Sequence, residues 1–195
     1  MTRSPLKLLS FSICSVFFVA TVAQAGPIAD QAAEIEALLA AEDFAGAGLA
    51  ADVLYQSVWD ATTEISFRQV QLVSEPASGF GIYNPRADAK FKAGEPVIIY
   101  AEPYGYGFGT PADGLNSINF DVDLKVLSES GEVLGEMPGL AALELQSRVK
   151  NHEFQANLTY NLNCITPGSY VLQTTMRDKN SAKSGSFETA IEIVE

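Results

Sequence analysis

The chain has 195 residues, with 24 Asp+Glu against 12 Lys+Arg, one histidine and a formal net charge of −12. That balance argues against nucleic acid and anionic membrane surfaces as partners, since both attract basic patches. Two cysteines and one histidine also offer no zinc-site spacing.

Residues 1–25 read as a cleaved signal peptide. Arg3 and Lys7 supply a positive start, Leu8 to Val22 is largely apolar, and Ala23-Gln24-Ala25 is a small-x-small cleavage site. The apolar stretch is short and interrupted by Ser10, Ser12, Ser15 and Thr21, whereas a membrane span wants about 20 apolar residues. Cys14 follows Ile13 rather than a small residue, so lipid attachment is not expected. Cleavage before Gly26 removes Arg3 and Lys7 and takes the charge from −12 to −14. The 170 residues left of 195 suffice for one domain with a real core and a small appendage. No later apolar run is long enough to span a membrane. Only Cys164 survives processing, which rules out an intramolecular disulfide. It reads as a small buried hydrophobe.

Residues 26–64 read as an acidic helical hairpin. Asp30, Glu34, Glu36, Glu42, Asp43, Asp52, Asp60 and Glu64 fall here with no Lys or Arg. Ile35, Leu38, Leu39 and Phe44 recur at helical spacing, as do Leu49, Val53, Leu54, Val58 and Trp59. The expected helices are 28–44 and 48–62, with Gly46-Ala47-Gly48 as the turn. Helices this short are marginal alone and need packing. Trp59, the only tryptophan, is the expected anchor.

Residues 65–195 read as a β-sandwich domain. The period becomes 2 in Ile118-Phe120-Val122-Leu124-Val126, Phe154-Ala156-Leu158-Tyr160-Leu162, Tyr170-Leu172-Thr174-Met176 and Phe187-Thr189-Ile191-Ile193. Such alternation sets one face on a core and the other in water. Weaker strands are expected at 67–73, 79–83, 96–102, 132–135 and 141–149. Turn signals such as Asn84-Pro85, Ser130-Gly131, Pro138-Gly139 and Pro167-Gly168 separate them. Seven to nine short strands so spaced describe a sandwich.

Candidate functional residues are few. Glu102-Pro103-Tyr104-Gly105-Tyr106-Gly107-Phe108-Gly109 alternates rings with glycine. Glycine permits close backbone approach, and Tyr104, Tyr106 and Phe108 would offer flat amphipathic faces to a ligand. The bland alternative is that the rings fold back over the sandwich edge. Glu102, Tyr83 and Arg86 are the expected neighbours. His152 reads as a solvated or hydrogen-bonded residue near a strand. Asp121 and Asp123 share a strand face without a calcium-type loop. Ser147-Arg148-Val149-Lys150 fits S-x-x-K, but the partner motifs S-D-N and K-T-G are missing. No catalytic, metal-binding or cofactor residues are assigned.

Ile165-Thr166-Pro167-Gly168-Ser169-Tyr170-Val171-Leu172 resembles the penultimate strand of immunoglobulin-like and fibronectin-like sandwiches, where a tyrosine hydroxyl ties back to the backbone at the sheet corner. Met176 to Lys183 resembles the charged hairpin before a closing strand. Gly81-Ile82-Tyr83-Asn84-Pro85-Arg86, Phe91 to Pro96 and Tyr100-Ala101-Glu102-Pro103 resemble exported bacterial proteins with the same order of segments. The resemblance covers roughly 80–195 and implies an immunoglobulin-like β-sandwich without the paired cysteines. It implies no activity, because the fold hosts many functions.

The resulting expectation is a non-catalytic periplasmic or secreted module that binds an envelope protein or polysaccharide through the aromatic-glycine loop, with the acidic hairpin packed beside the sandwich or contacting a partner. The alternative is a hydrolase of envelope carbohydrate or peptide that uses carboxylates such as Glu102, with His152 as a possible participant. The export reading makes a direct prediction. Mass spectrometry of the exported protein should find Gly26 at the N-terminus, and an intact Met1 would refute it.

Overall fold

The computed structural model describes residues 26–111, 114–163 and 165–195. The signal peptide reading of residues 1–25 and the buried-hydrophobe reading of Cys164 lie outside the described residues. Helix α1 runs Pro27–Ala40 and α2 runs Phe44–Asp60. Pro27 suits the first helical position, where its missing N–H costs nothing. The turn lies earlier than the Gly46-Ala47-Gly48 expected from sequence. Glu42 takes a left-handed φ of 58°, and Asp43 caps α2 by accepting the Gly46 amide at 2.9 Å. A Cβ on Gly46 would sit 2.4 Å from that carboxylate. Gly46 therefore makes room for the cap and does not break the helix. Ala47 is buried, and Gln31 on α1 donates to the Ser57 hydroxyl at 3.1 Å.

Eight strands follow: β1 Ser66–Leu72, β2 Lys90–Lys92, β3 Val97–Tyr104, β4 Asn116–Ser128, β5 Val133–Ser147, β6 Ala156–Tyr160, β7 Gly168–Asp178 and β8 Ser184–Val194. They form two sheets, ordered β1-β3-β6 and β2-β8-β7-β4-β5. All pairings are antiparallel except β2 with β8, which is parallel. The chain is mainly β. The expected alternation holds: Ile118, Phe120, Val122, Leu124 and Val126 point inward, as do Ala156, Leu158 and Tyr160 from the facing sheet. A buried polar bridge between the sheets joins the hydroxyls of Tyr160 (β6) and Thr174 (β7) at 2.8 Å. Burial pushes the Tyr160 hydroxyl up to about 12.

Three weaker strand expectations change. Residues 79–83 form a turn closed by an isolated bridge between Gly79 and Ile82. The stretches 132–135 and 141–149 are one edge strand, β5. Its Pro138-Gly139 does not end it, because β4 pairs through a register shift there. Gly139, at φ 62°, donates its amide to Asp123 at 2.7 Å. An edge strand tolerates proline because its outer amides need no ladder partner. The three-residue β2 has too little sequence for its period to be read.

The sheet corner forms at Tyr170. Its ring packs against the core, and its hydroxyl donates to the Thr166 carbonyl at 2.8 Å. Tyr170→Phe should lower unfolding free energy by about 0.5–1.5 kcal/mol, the usual net worth of one hydrogen bond. A denaturant midpoint unchanged within error would show that the bond carries no stability.

Candidate functional site

The aromatic-glycine segment leaves β3 and crosses one end of the sandwich, with its backbone tied down at nearly every residue. The Gly105 carbonyl accepts Lys183 Nζ at 2.7 Å and Thr62 Oγ1 at 3.0 Å. The Tyr106 carbonyl accepts the Trp59 indole N–H at 2.6 Å. Gly107 donates to Asp178 at 2.7 Å, and Gly109 exchanges two 2.9 Å bonds with Ser117. The glycines follow from this close approach. A Cβ on Gly105, at φ +87°, would lie 2.6 Å from Thr62 Oγ1, and one on Gly109 would lie 2.5 Å from Ser117 Oγ. Glycine alternation here is a packing requirement.

The rings close around Trp59, which is 0% exposed. Tyr104, Tyr106 and His152 meet its ring edge-on at centroid distances of 4.4, 4.8 and 4.6 Å, and Phe108 stacks at 6.3 Å. Tyr106 is 1% exposed, packs on Phe120 and Phe154, and donates its hydroxyl to the Asn151 carbonyl at 2.7 Å. Tyr106 is thus core and presents no surface to a ligand. Tyr104 and Phe108 are half-buried and each carries a cation: Arg68 lies 4.5 Å from Tyr104 and Lys150 lies 5.6 Å from Phe108. Truncating a ring as buried as Trp59 costs about 3–5 kcal/mol. The loop is an anchor for α2.

Glu102, Tyr83 and Arg86 lie elsewhere and do not join those rings through any described hydrogen bond. On the outer face of the small sheet, Tyr100 donates its hydroxyl to Glu102 at 2.5 Å and accepts the Gly81 amide at 2.7 Å. Tyr83 covers the Tyr100 ring at 4.3 Å. Burial and the Glu102 bond push the Tyr100 hydroxyl up to about 12. Arg86 staples a loop: it pairs with Glu95 at 2.8 Å, donates to the Lys90 carbonyl at 2.6 Å and covers the Phe91 ring at 4.1 Å. The Lys92 amide, aided by Arg86, holds Glu95 below its usual carboxylate value. Asp121 and Asp123 face Arg177 on the outer side of the large sheet. His152 bonds Gln56 of α2 at 3.1 Å, so the partners of Glu102 and of His152 belong to different elements. Among the described residues, no group of three or more His, Cys, Asp or Glu could hold a metal ion.

The hairpin, expected to pack beside the sandwich or contact a partner, exposes apolar residues that were not among the expected site residues. No residue of α1 is buried. Leu49, Phe44 and Val53 on α2 are 70%, 69% and 57% exposed. A groove between the helices has a floor of Leu38, Leu49, Ala50 and Val53, with Gln31 and Glu34 on its side. All eight hairpin acids are exposed, and none forms an ion pair among the described residues. The available sign was the width of the α2 apolar arc. Leu49 and Val53 lie well round the helix from Tyr55 and Trp59, so one contact cannot cover both sets. No family model matches this chain, and no curated protein matches it either.

The Trp59 cage makes a pH prediction. Burial lowers the His152 pKa below the ordinary imidazole value, Lys150 and Arg68 add to the effect, and Asp60 and Asp52 oppose it. The neutral ring's contribution to stability is therefore complete above about 6.5 and is lost as pH falls through the lower folded value. Acid titration should quench Trp59 emission with a midpoint below about 6.5, and His152→Gln should abolish that step. A midpoint at or above the ordinary value would contradict the half-buried placement of His152 against Trp59.

Proposed function

We propose that this chain is a non-catalytic, exported module with an immunoglobulin-like sandwich that binds a protein partner through its N-terminal helical hairpin. The exported reading, periplasmic or secreted, rests on the pattern of residues 1–25. The immunoglobulin-like reading is supported by the strand order β1-β3-β6 and β2-β8-β7-β4-β5, the parallel β2–β8 edge and the Tyr170 corner.

The observation that carries the binding function is the contrast between two apolar surfaces. The loop rings turn inward around Trp59, while Leu49, Val53 and Phe44 of the hairpin face solvent. Contiguous exposed apolar side chains ringed by polar groups mark interaction sites. Only one end of α2 is sealed by the sandwich, so the rest of the hairpin is free to meet a partner. The hydrolase alternative gains nothing from the geometry, since Glu102 and His152 are each engaged with different neighbours.

Immobilised chain from Gly26 onward should retain a discrete envelope protein, and the Leu49→Asn/Val53→Asn double variant should lose it with an unchanged unfolding midpoint. Equal retention by the double variant and loss in a Tyr104→Ala/Phe108→Ala variant would move the contact back to the loop and overturn the hairpin reading.

A further inference from the structure

We propose that the groove between α1 and α2 takes a basic amphipathic helix from the partner, with an apolar stripe flanked by Lys or Arg. The inference rests on the reading of the hairpin as the contact surface and adds the chemistry of what fills it. Three observations on the hairpin lead to it.

The first is shape. The groove floor is aliphatic: Leu38 from α1 with Leu49, Ala50 and Val53 from α2. The 14-residue α1 and the 17-residue α2 are about 21 and 26 Å long at ~1.5 Å per residue. A third helix of about 16 residues laid along them matches that length and would complete a bundle-like layer. Helix-in-groove recognition places anchors at i, i+3, i+4 and i+7, which suits a floor of short aliphatic side chains.

The second is charge. Eight acids and no Lys or Arg lie between Gly26 and Phe67, and Glu34 lines the groove itself. These acids have no ion-pair partner among the described residues, although cations elsewhere in the chain do pair. Arg86, Arg177, Lys90, Lys125 and Lys179 all reach carboxylates on the sandwich. The hairpin carboxylates thus carry no direct ion pair among the described residues, and a cationic partner would be steered to them.

The third is the exclusion of other occupants by the same charge. A second copy would bring another eight acids against the first eight, a like-charge juxtaposition that opposes self-association. An anionic lipid surface is repelled for the same reason. A basic helix satisfies both the apolar lining and Glu34 beside it.

The test uses the chain from Gly26 onward, which holds all the described structure, and three labelled peptides of about 16 residues, matched to the lengths of α1 and α2. They share one Leu/Ala face and differ only in their polar positions, which are all Lys, all Gln or all Glu. Fluorescence anisotropy should show the Lys peptide binding at least ~10-fold tighter than the Gln peptide near 0.1 M salt, where the Debye length is still about 10 Å. Raising salt should narrow the gap. Leu49→Asn/Val53→Asn should weaken the Lys peptide by at least ~10-fold, since a tenfold loss is only about 1.4 kcal/mol. Glu34→Gln should weaken the Lys peptide and leave the Gln peptide unchanged. Circular dichroism of each variant, matching the parent, confirms that the hairpin is intact.

Equal binding of the Lys and Gln peptides would overturn the charge selection while leaving the hairpin as a protein-docking surface. Undiminished Lys binding to the Leu49→Asn/Val53→Asn variant would show diffuse attraction and overturn the groove. Absence of Lys-peptide binding would overturn the proposal outright. So would a dimer in sedimentation velocity that the same double variant dissolves, because a second copy would then fill the groove. The envelope pull-down is read separately, so a captured partner with no basic helix defeats this inference alone.

Discussion

The burial of Trp59 is the contact on which the arrangement depends. Its indole N–H reaches the Tyr106 carbonyl at 2.6 Å, inside a site with no solvent exposure. Losing that ring would leave an unpartnered carbonyl as well as a cavity. The hydrogen bond runs from the end of α2 to the middle of the aromatic-glycine segment, so it fixes two irregular pieces of chain at once. Much of the local geometry follows from it. The segment must lie close to the α2–β1 connection and to the β7–β8 turn, which leaves no room for a Cβ at Gly105 or Gly109. The neighbouring rings close around Trp59, and Tyr106 also packs on Phe120 and Phe154.

This anchoring divides the apolar surface of the molecule unevenly. In a two-layer sandwich the loops at one end are the usual place for a ligand to meet rigid scaffold. Here that end is occupied by the chain's own helix. The cost is shifted to the hairpin, because α2 turns Tyr55 and Trp59 toward the sandwich and cannot also cover Leu49 and Val53. With α1 on its other side, α2 keeps Leu49 and Val53 exposed, and the hairpin acids stay solvated. An isolated hairpin of this composition would be marginal. Attachment through one buried ring keeps it folded while leaving most of its surface free.

The polar residues of the sandwich have structural occupations. Arg86 clamps Glu95 and the Lys90 carbonyl over the Phe91 ring. Glu102 receives the hydroxyl of a fully buried tyrosine. Arg177 forms a bidentate pair with Asp123, at 2.7 and 2.9 Å, on a solvent-screened face where such pairs contribute little. Each of these groups is engaged with the chain's own residues, whereas the hairpin acids form no ion pair among the described residues.

The sequence by itself determined the change from a 3.6-residue to a 2-residue period, the inward face of β4, β6, β7 and β8, the Tyr170 corner and Trp59 as the anchor. These are local patterns, and the physics behind each acts within a few residues. It misplaced the hairpin turn, because a glycine making room for the Asp43 cap looks the same in sequence as a glycine ending a helix. It split β5 at Pro138-Gly139, because a bulge on an edge strand carries the same residues as a turn. The candidate site was legible only in its residue types. Whether Tyr106 faces water or Trp59 depends on contacts 47 residues apart in the chain, and whether Leu49 is covered depends on which arc of α2 the sandwich claims. Periodicity reports that an apolar face exists. Only the tertiary structure decides what lies against it, because burial belongs to the pair of surfaces and not to either one.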